Sequence, residues 1–157
     1  RKARGRRTAR LGEIGIGRSI MLVLDASAAM DIACATDKGM ALREVILRGD
    51  VVASSSSLRL DLANGFARFI RMGAVSRDVT EKCLELALTL VDEHEPYENL
   101  IPEAFRNVRG NQISVSDLVY YALARQQNAT LLTSNAAVAE LCRATSVDCI
   151  DASEPLD

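Results

Sequence analysis

Short apolar runs alternate with longer amphipathic segments along this chain. Four such runs stand at residues 22–25 (LVLD), 51–54 (VVAS), 130–133 (TLLT) and 147–150 (VDCI). Runs of this length are typical of strands buried in a parallel sheet, and the segments between them repeat apolar residues at helical spacing. Strands that alternate with helices predict an α/β fold with helices on both faces of the sheet.

The expected element order is β-α-α-β-α-α-(β)-α-α-β-α-β, with a weak strand inside the stretch DEHEPYENLIPE. Polar residues that stand before an apolar helical pattern mark the helix starts. We expect Ser27 and Asp37 to cap the first two helices, and residues 54–57 to form a loop and a further cap. Ser114-x-x-Asp117 resembles a capping box with aspartate in its third helical position.

The composition fits one domain. The chain has 157 residues, of which 48% are apolar and 25% charged, enough for a hydrophobic core of ordinary size. Every apolar run is shorter than the roughly 18 residues of a membrane span, so no membrane association is expected. The four cysteines form no C-x-x-C pair, and His94 is the only histidine. We therefore expect free thiols in a cytoplasmic protein and no zinc site.

Residues 1–20 differ in charge from the rest of the chain. Their basic residues are Arg1, Lys2, Arg4, Arg6, Arg7, Arg10 and Arg18. The remaining residues hold 12 of the 19 basic and 20 of the 21 acidic side chains. Because Met21 opens the first strand, we interpret 1–20 as a basic N-terminal extension, either from an upstream start or foreign to the protein, and 21–157 as one domain. In the alternative, the extension contacts RNA or the acidic site.

Four polar residues stand where a strand or loop changes into a helix: Asp25, Asp61, Asp117 and Asn135. Ligands of parallel α/β proteins bind beyond the carboxyl ends of the strands, where these positions can converge. Clustered carboxylates without histidine or cysteine suit a hard cation such as Mg²⁺ or Mn²⁺. The alternative role for each aspartate alone is a helix cap or an acid in a first helical turn.

The sequences around these positions form an ordered set of motifs. A hydrophobic strand ends in Asp, a small residue and Ser (MLVLDAS), and a helix carries DLANGFARF. A Ser-x-x-Asp motif then precedes tyrosine and Ala-Leu-Ala (SVSDLVYYALA), and LLTSN follows. Together these motifs resemble the PIN domain over about residues 21–152, specifically the VapC-type toxin ribonucleases of type II toxin–antitoxin systems. Asp61 replaces the glutamate of the family pattern, and Asn135 replaces an aspartate.

The resemblance implies a PIN-like three-layer α/β/α sandwich with a central, mainly parallel sheet of four to five strands. It also implies a Mg²⁺-dependent endoribonuclease toxin that hydrolyses RNA phosphodiester bonds, forms a homodimer and is neutralised by a cognate antitoxin. The catalytic residues would be Asp25, Asp61, Asp117 and Asn135, with Asp25 and Asp117 as metal ligands. Asp61 would orient the attacking water or complete the ligand shell.

Five further residues are expected to contact the substrate or to support the carboxylates: Ser27, Asn64, Ser116, Thr133 and Ser134. Thr133 and Ser134 could donate hydrogen bonds to the scissile phosphate or to Asn135. Asn64 could bond a site carboxylate or face solvent, and Ser116 could serve as a local cap or contact phosphate. Two tyrosines, at positions 120 and 121, could stack on bases or belong to the core or to a dimer surface.

Asn135 leaves the function open in one respect. Because an amide removes one negative charge, we expect at most one weakly bound Mg²⁺. The alternative function is a catalytically weakened PIN-fold protein that binds RNA or a protein partner without cleaving.

Overall fold

The computed structural model describes residues 20–110 and 112–153. The predicted basic extension therefore lies outside the described residues, apart from Ile20. Among these residues the element order is the one expected from the sequence, with a 3-10 turn added at Tyr97–Asn99. The weak strand predicted inside DEHEPYENLIPE is present.

The strands are β1 (Met21–Leu24), β2 (Val51–Ser55), β3 (Glu93–Glu95), β4 (Thr130–Thr133) and β5 (Cys149–Asp151). Within the described residues, the helices are α1 (Ala26–Ala33), α2 (Asp37–Ile46), α3 (Leu58–Arg71), α4 (Arg77–Thr89), α5 (Ile101–Arg106), α6 (Val115–Gln127) and α7 (Ala136–Thr145).

The five strands form one sheet in the order β3-β2-β1-β4-β5, and every neighbouring pair is parallel. In one helix layer α1 packs against α2, α3 and α4, whereas in the other α6 packs against α5 and α7. This arrangement confirms the expected α/β/α sandwich. Because β1 pairs with β2 on one side and β4 on the other, the strand order reverses beside β1. The residues that follow Leu24 and Thr133 therefore border the crevice where ligands of such folds bind.

The central strands are buried on both faces, as their continuous apolar runs predict. Val23 and Leu24 of β1 and Leu132 of β4 lie in the core together with the apolar face of α6. Tyr120 and Tyr121 are also fully buried there. Their burial leaves no ring face for base stacking, so the core alternative is correct for both.

Two helix starts differ from the sequence prediction. Asp25, and not Ser27, is the N-cap of α1, because its carboxylate accepts the backbone N–H of Ala28. Thr36, and not Asp37, caps α2. In both cases the residue just before the first helical turn has extended backbone angles and a side-chain oxygen within reach of an unpaired N–H, which is the geometry that a cap requires.

The serine run at 54–57 is also different from the prediction. Ser54 ends the predicted run VVAS and pairs with His94 of β3, and Ser55 extends β2 by one residue and pairs with Glu95, so neither is part of a loop. Ser57 precedes α3 but makes no side-chain bond to its backbone. Pairing with β3 lengthens the strand, and this pairing is a tertiary contact that local sequence does not encode.

Two expectations from composition bear on the described residues. No helix among them combines the length and the apolar character that crossing a membrane requires. The four cysteines, which all lie in the described part of the chain, are free thiols as expected.

Candidate active site

Asp25 stands at the carboxyl end of β1 and is fixed in one orientation. Its Oδ1 accepts the backbone N–H of Ala28 at 2.8 Å and the hydroxyl of Ser27 at 2.7 Å. The hydroxyl of Thr133 also favours the ionised form of this carboxylate. Only 3% of Asp25 is exposed. The protein therefore holds a carboxylate in a largely dry position at the point where the strand order reverses.

Burial raises the pKa of Asp25 from 3.8 to about 6. The hydrogen bonds from Ala28, Thr133 and Ser27 favour the ionised form, but they offset only part of the desolvation. The negative charge of Asp117 adds a smaller increase. A buried acid whose pKa is raised by burial and by another acid, in a crevice, is a candidate functional group.

The turn after β4 forms the opposite wall of the crevice. Thr133 Oγ1 lies 3.4 Å from Ser27 Oγ and accepts the backbone N–H of Asn135 at 3.0 Å. The backbone N–H of Ser134 donates to Ser27 Oγ at 2.9 Å. Ser27, although it is not the helix cap, therefore connects Asp25 with the β4–α7 turn.

Asn135 caps α7 with its side-chain oxygen, although the sequence predicted Asn135 to be one of the catalytic residues. Its Oδ1 accepts the backbone N–H groups of Ala137 at 3.0 Å and of Val138 at 3.4 Å, which satisfies donors that the first helical turn leaves unpaired. The neighbouring Ser134 hydroxyl donates to Asp31 Oδ2 at 2.5 Å. The Ser134 hydroxyl thus bonds a protein acceptor on α1, and neither it nor Thr133 Oγ1 bonds the Asn135 side chain.

Asp61 lies in the first turn of α3, and both of its carboxylate oxygens accept hydrogen bonds from hydroxyl groups. Oδ1 accepts from Ser116 at 2.5 Å, whereas Oδ2 accepts from Tyr120 at 2.6 Å and from Ser57 at 3.2 Å. Burial raises the pKa of the Tyr120 hydroxyl, and the hydrogen bond to Asp61 raises it further. The tyrosine therefore stays protonated and remains a donor to Asp61 at ordinary pH.

Asp117 lies in the first turn of α6, where it is half-buried. Its backbone N–H donates to Ser114 Oγ at 3.1 Å, and the Ser114 hydroxyl donates to Asp117 Oδ2 at 2.8 Å. This reciprocal pair confirms the predicted cap of α6. It also fixes the side chain of Asp117 relative to the helix that carries it.

The three aspartates lie toward the carboxyl edge of the sheet, where Asp61 bonds Ser116, the residue before Asp117. The Tyr120 hydroxyl, which bonds Asp61, is also influenced by the charge of Asp25, and Asp25 is influenced by Asp117. The residues that the sequence singled out are thus brought together, with two exceptions. The Asn135 oxygen is engaged in its cap, and Asn64 is exposed on α3, which favours its solvent-facing alternative.

Sequence reasoning missed the hydrogen-bond partners of these groups, namely Ser57, Tyr120 as a donor, and Asp31. Each lies three or four positions from a predicted site residue. A separation of about one helical turn places two side chains on the same helix face, so this spacing was the available signal.

The donor set is composed of oxygen atoms and suits a hard, hydrated cation. Within residues 20–110 and 112–153, no group of three or more His, Cys, Asp or Glu side chains is arranged to hold a metal ion. Mg²⁺ is commonly bound through one or two carboxylates while it keeps several waters. The oxygen donors of Asp25 and Asp117 are chemically suited to a hydrated Mg²⁺, and the described residues do not form a closed cage of protein ligands.

Several solved structures share this fold. PAE2754 from Pyrobaculum aerophilum is 20% identical with a TM-score of 0.61, over 87% of this chain and 93% of that chain. VapC20 from Mycobacterium tuberculosis, a sarcin–ricin loop cleaving toxin, is 15% identical with a TM-score of 0.56, over 76% of this chain and 94% of that chain. VapBC-5 from the same organism, of the VapBC family of toxin–antitoxin systems, is 21% identical with a TM-score of 0.51, over 83% and 98%.

A comparison with curated proteins gives no match, whereas a comparison with protein families gives one. The model of the PIN domain matches residues 22–144, a range that contains Asp25 after β1, Asp61 on α3 and Asp117 on α6. Because the match covers most of the chain and includes every carboxylate of the site, this protein belongs to the PIN domain family.

Proposed function

We propose that this protein is an endoribonuclease that hydrolyses RNA phosphodiester bonds with Mg²⁺, which Mn²⁺ can replace, and that it acts as a VapC-type toxin. The observation that carries the proposal is the buried carboxylate of Asp25 beside Asp117. Burying an ionised acid near a second acid destabilises a fold, and a bound cation would offset that destabilisation. Such an arrangement is expected where a cation is needed for function.

The solved relatives support the substrate and the biological setting. VapC20 of Mycobacterium tuberculosis is a toxin that cleaves the sarcin–ricin loop, which is RNA. VapBC-5 of the same organism belongs to a toxin–antitoxin family. By analogy, the substrate of this protein is RNA and its partner is a cognate antitoxin.

The roles of the residues follow from their contacts. A Mg²⁺ ion bound at this site would polarise a phosphoryl oxygen and lower the pKa of a water molecule that attacks the phosphorus. Asp25 and Asp117 would hold the ion. Ala28 and Ser27 already orient Asp25, so this ligand needs no rearrangement before it binds. Asp61 keeps a third negative charge at the same edge of the sheet.

Cleavage of RNA in the presence of Mg²⁺ tests the proposal. We expect Asp25→Ala and Asp117→Ala to lower the cleavage rate at least about 100-fold, because each removes a cation ligand. Asp78→Ala is the matched control, since Asp78 is an exposed acid in the first turn of α4. If both site variants cleave RNA as fast as the unsubstituted parent protein, the proposed function is refuted.

A second candidate function is RNA or protein binding without cleavage. The observation that favours it is the engagement of Asn135 Oδ1 with the backbone of α7. Asn135→Asp discriminates between the two functions, because a carboxylate also caps a helix well and has further lone pairs for a cation. A nearly silent parent that gains strong cleavage on this substitution favours the binding function. A small change favours the ribonuclease.

We also propose that the protein works in the cytoplasm as a homodimer restrained by its antitoxin. The free cysteines are compatible with a reducing compartment. Light scattering of the purified chain measures the oligomeric state, and a monomer at micromolar concentration would refute the dimer. Addition of the antitoxin to the cleavage assay is expected to abolish activity.

A further inference from the structure

The set of hydroxyl groups around Asp61 has no part in the mechanism above. Ser116 and Tyr120 bond its two oxygens at 2.5 Å and 2.6 Å, and Ser57 adds a third contact at 3.2 Å. Hydroxyl–carboxylate bonds at such distances are charge-assisted and strong. Tyr120 is 1% exposed, so water does not readily replace it. A carboxylate engaged in this way has few lone pairs left for a cation.

These bonds join parts of the chain that are distant in sequence. Asp61 belongs to α3, whereas its two strongest partners belong to α6, 55 and 59 positions away. The two helices lie in opposite layers of the sandwich, so the contact passes around the carboxyl edge of the sheet. Asp117 stands between the two partners on α6, directly after Ser116 and three residues before Tyr120. Anchoring both partners therefore fixes the helical turn that carries Asp117.

We propose that Asp61 is a positioning residue, which holds the first turn of α6 through Ser116 and Tyr120 and thereby keeps Asp117 facing Asp25. In this role Asp61 does not itself bind the cation. The inference rests on the proposed function, because it assigns Asp25 and Asp117 as the cation ligands. It makes the hydroxyls of Ser116 and Tyr120 determinants of cation affinity, although neither is a ligand.

Substitution of Tyr120 by phenylalanine tests this role, since the ring is kept and only the hydroxyl is removed. The matched control is Tyr121→Phe. Tyr121 is buried on the same helix, but its hydroxyl bonds Thr145 at 3.1 Å. Binding of Mn²⁺ to each full-length protein, without RNA, is measured by the electron paramagnetic resonance signal of the free ion. We expect Tyr120→Phe to weaken Mn²⁺ binding roughly tenfold, as loss of one charge-assisted hydrogen bond implies, and Tyr121→Phe to leave it unchanged.

The competing role for Asp61, direct ligation, predicts a different result. Removing a donor would then free a carboxylate oxygen, so Tyr120→Phe and Ser116→Ala would leave Mn²⁺ binding unchanged or make it tighter. That result would overturn the positioning role. If Tyr120→Phe does not fold, Ser116→Ala carries the test, because it removes a single small hydroxyl from the first turn of α6.

Two further readouts separate the positioning role from a general loss of stability and from the proposed function. Hydrogen exchange of the amides in the first turn of α6 is expected to accelerate in Tyr120→Phe, while exchange in α7 stays as in the parent. A parent that binds Mn²⁺ but cleaves no RNA would refute the proposed function, and weaker Mn²⁺ binding by Tyr120→Phe would still support the positioning role. A parent that binds no Mn²⁺ would overturn the positioning role itself.

Discussion

Replacing Asp25 by asparagine is expected to stabilise the protein at neutral pH in the absence of a divalent cation. The amide keeps an oxygen for the N–H of Ala28 and for the hydroxyl of Ser27, which both bond Oδ1 of the native carboxylate. It also keeps the size of the side chain, so the core does not need to repack. What the substitution removes is the buried negative charge.

The magnitude follows from the raised pKa of Asp25, which is 3.8 for an ordinary aspartate and about 6 in the folded protein. Well below pH 3.8 the carboxyl group is protonated in both states and its burial has little effect. As the pH rises, the unfolded chain releases the proton first, so the free energy of unfolding falls until about pH 6 and then stays low. The difference between these two pKa values corresponds to about 3 kcal/mol of unfolding free energy. This is an upper value for the stability that Asp25→Asn can gain at neutral pH.

The assay is urea unfolding of parent and variant at several pH values between about 3 and about 7.5, in buffer that contains a chelator. We expect the two proteins to be equally stable at the acid end and to diverge as the pH rises. Asp78→Asn is the control, because this exposed acid in the first turn of α4 interacts favourably with the helix dipole. The free energy of unfolding of Asp78→Asn is expected to be about 0.5 kcal/mol lower than that of the parent at neutral pH. This change is opposite in sign to the one expected for Asp25→Asn.

Addition of Mg²⁺ provides a second comparison. A cation that binds the folded parent raises its free energy of unfolding in proportion to the logarithm of the cation concentration, whereas Asp25→Asn should respond much less. If Asp25→Asn is no more stable than the parent at pH about 7.5 without cation, the argument from the buried charge is wrong.

Three further substitutions test the packing and the caps by urea unfolding. Gly39→Ala is expected to lower the free energy of unfolding by about 2–3 kcal/mol, because a Cβ there would lie 1.9 Å from the backbone oxygen of Asp31. No loss of stability would show that α1 and α2 pack less closely than described. Ser114→Ala should lose about 1 kcal/mol through the missing cap of α6, and Ser114→Thr should retain most of the stability, because threonine keeps both the cap oxygen and the hydroxyl donor to Asp117. Leu132→Ala should lose about 2–5 kcal/mol, since Leu132 is fully buried in β4, and a loss below about 1 kcal/mol would contradict its place in the core.

The element order and the parallel class of the sheet could be predicted from the sequence because both depend on local periodicity. A buried parallel strand needs a continuous apolar run, and a surface helix needs an apolar stripe. Runs such as LVLD and TLLT satisfy the first condition over a few neighbouring residues. The place of Asp25 at the binding edge was also predictable, since it follows a parallel strand. Asp61 and Asp117 instead lie in the first turns of α3 and α6, and hydrogen bonds between these two helices hold Asp61 beside the turn that carries Asp117.

Element boundaries were less predictable because they depend on which of several nearby side-chain oxygens is placed to accept a hydrogen bond from a free backbone N–H. Asp25 and Ser27 are both good capping residues, and only the backbone angles at Asp25 decide between them. The extension of β2 to Ser55 requires β3 as a partner, which lies about 40 positions further along the chain.

The sequence by itself determined which side chains stand at the ligand-binding edge of this fold. Only the tertiary structure decided what each of them does there. Asn135 uses its oxygen for its own helix, Asp25 carries its charge in the core, and Asp61 is engaged by hydroxyls of another layer. The cap made by Asn135 is local to α7, whereas the role of Asp25 depends on burial and that of Asp61 on hydrogen bonds between residues that are 55 and 59 positions apart. Such contacts form only when the two helix layers close around the edge of the sheet.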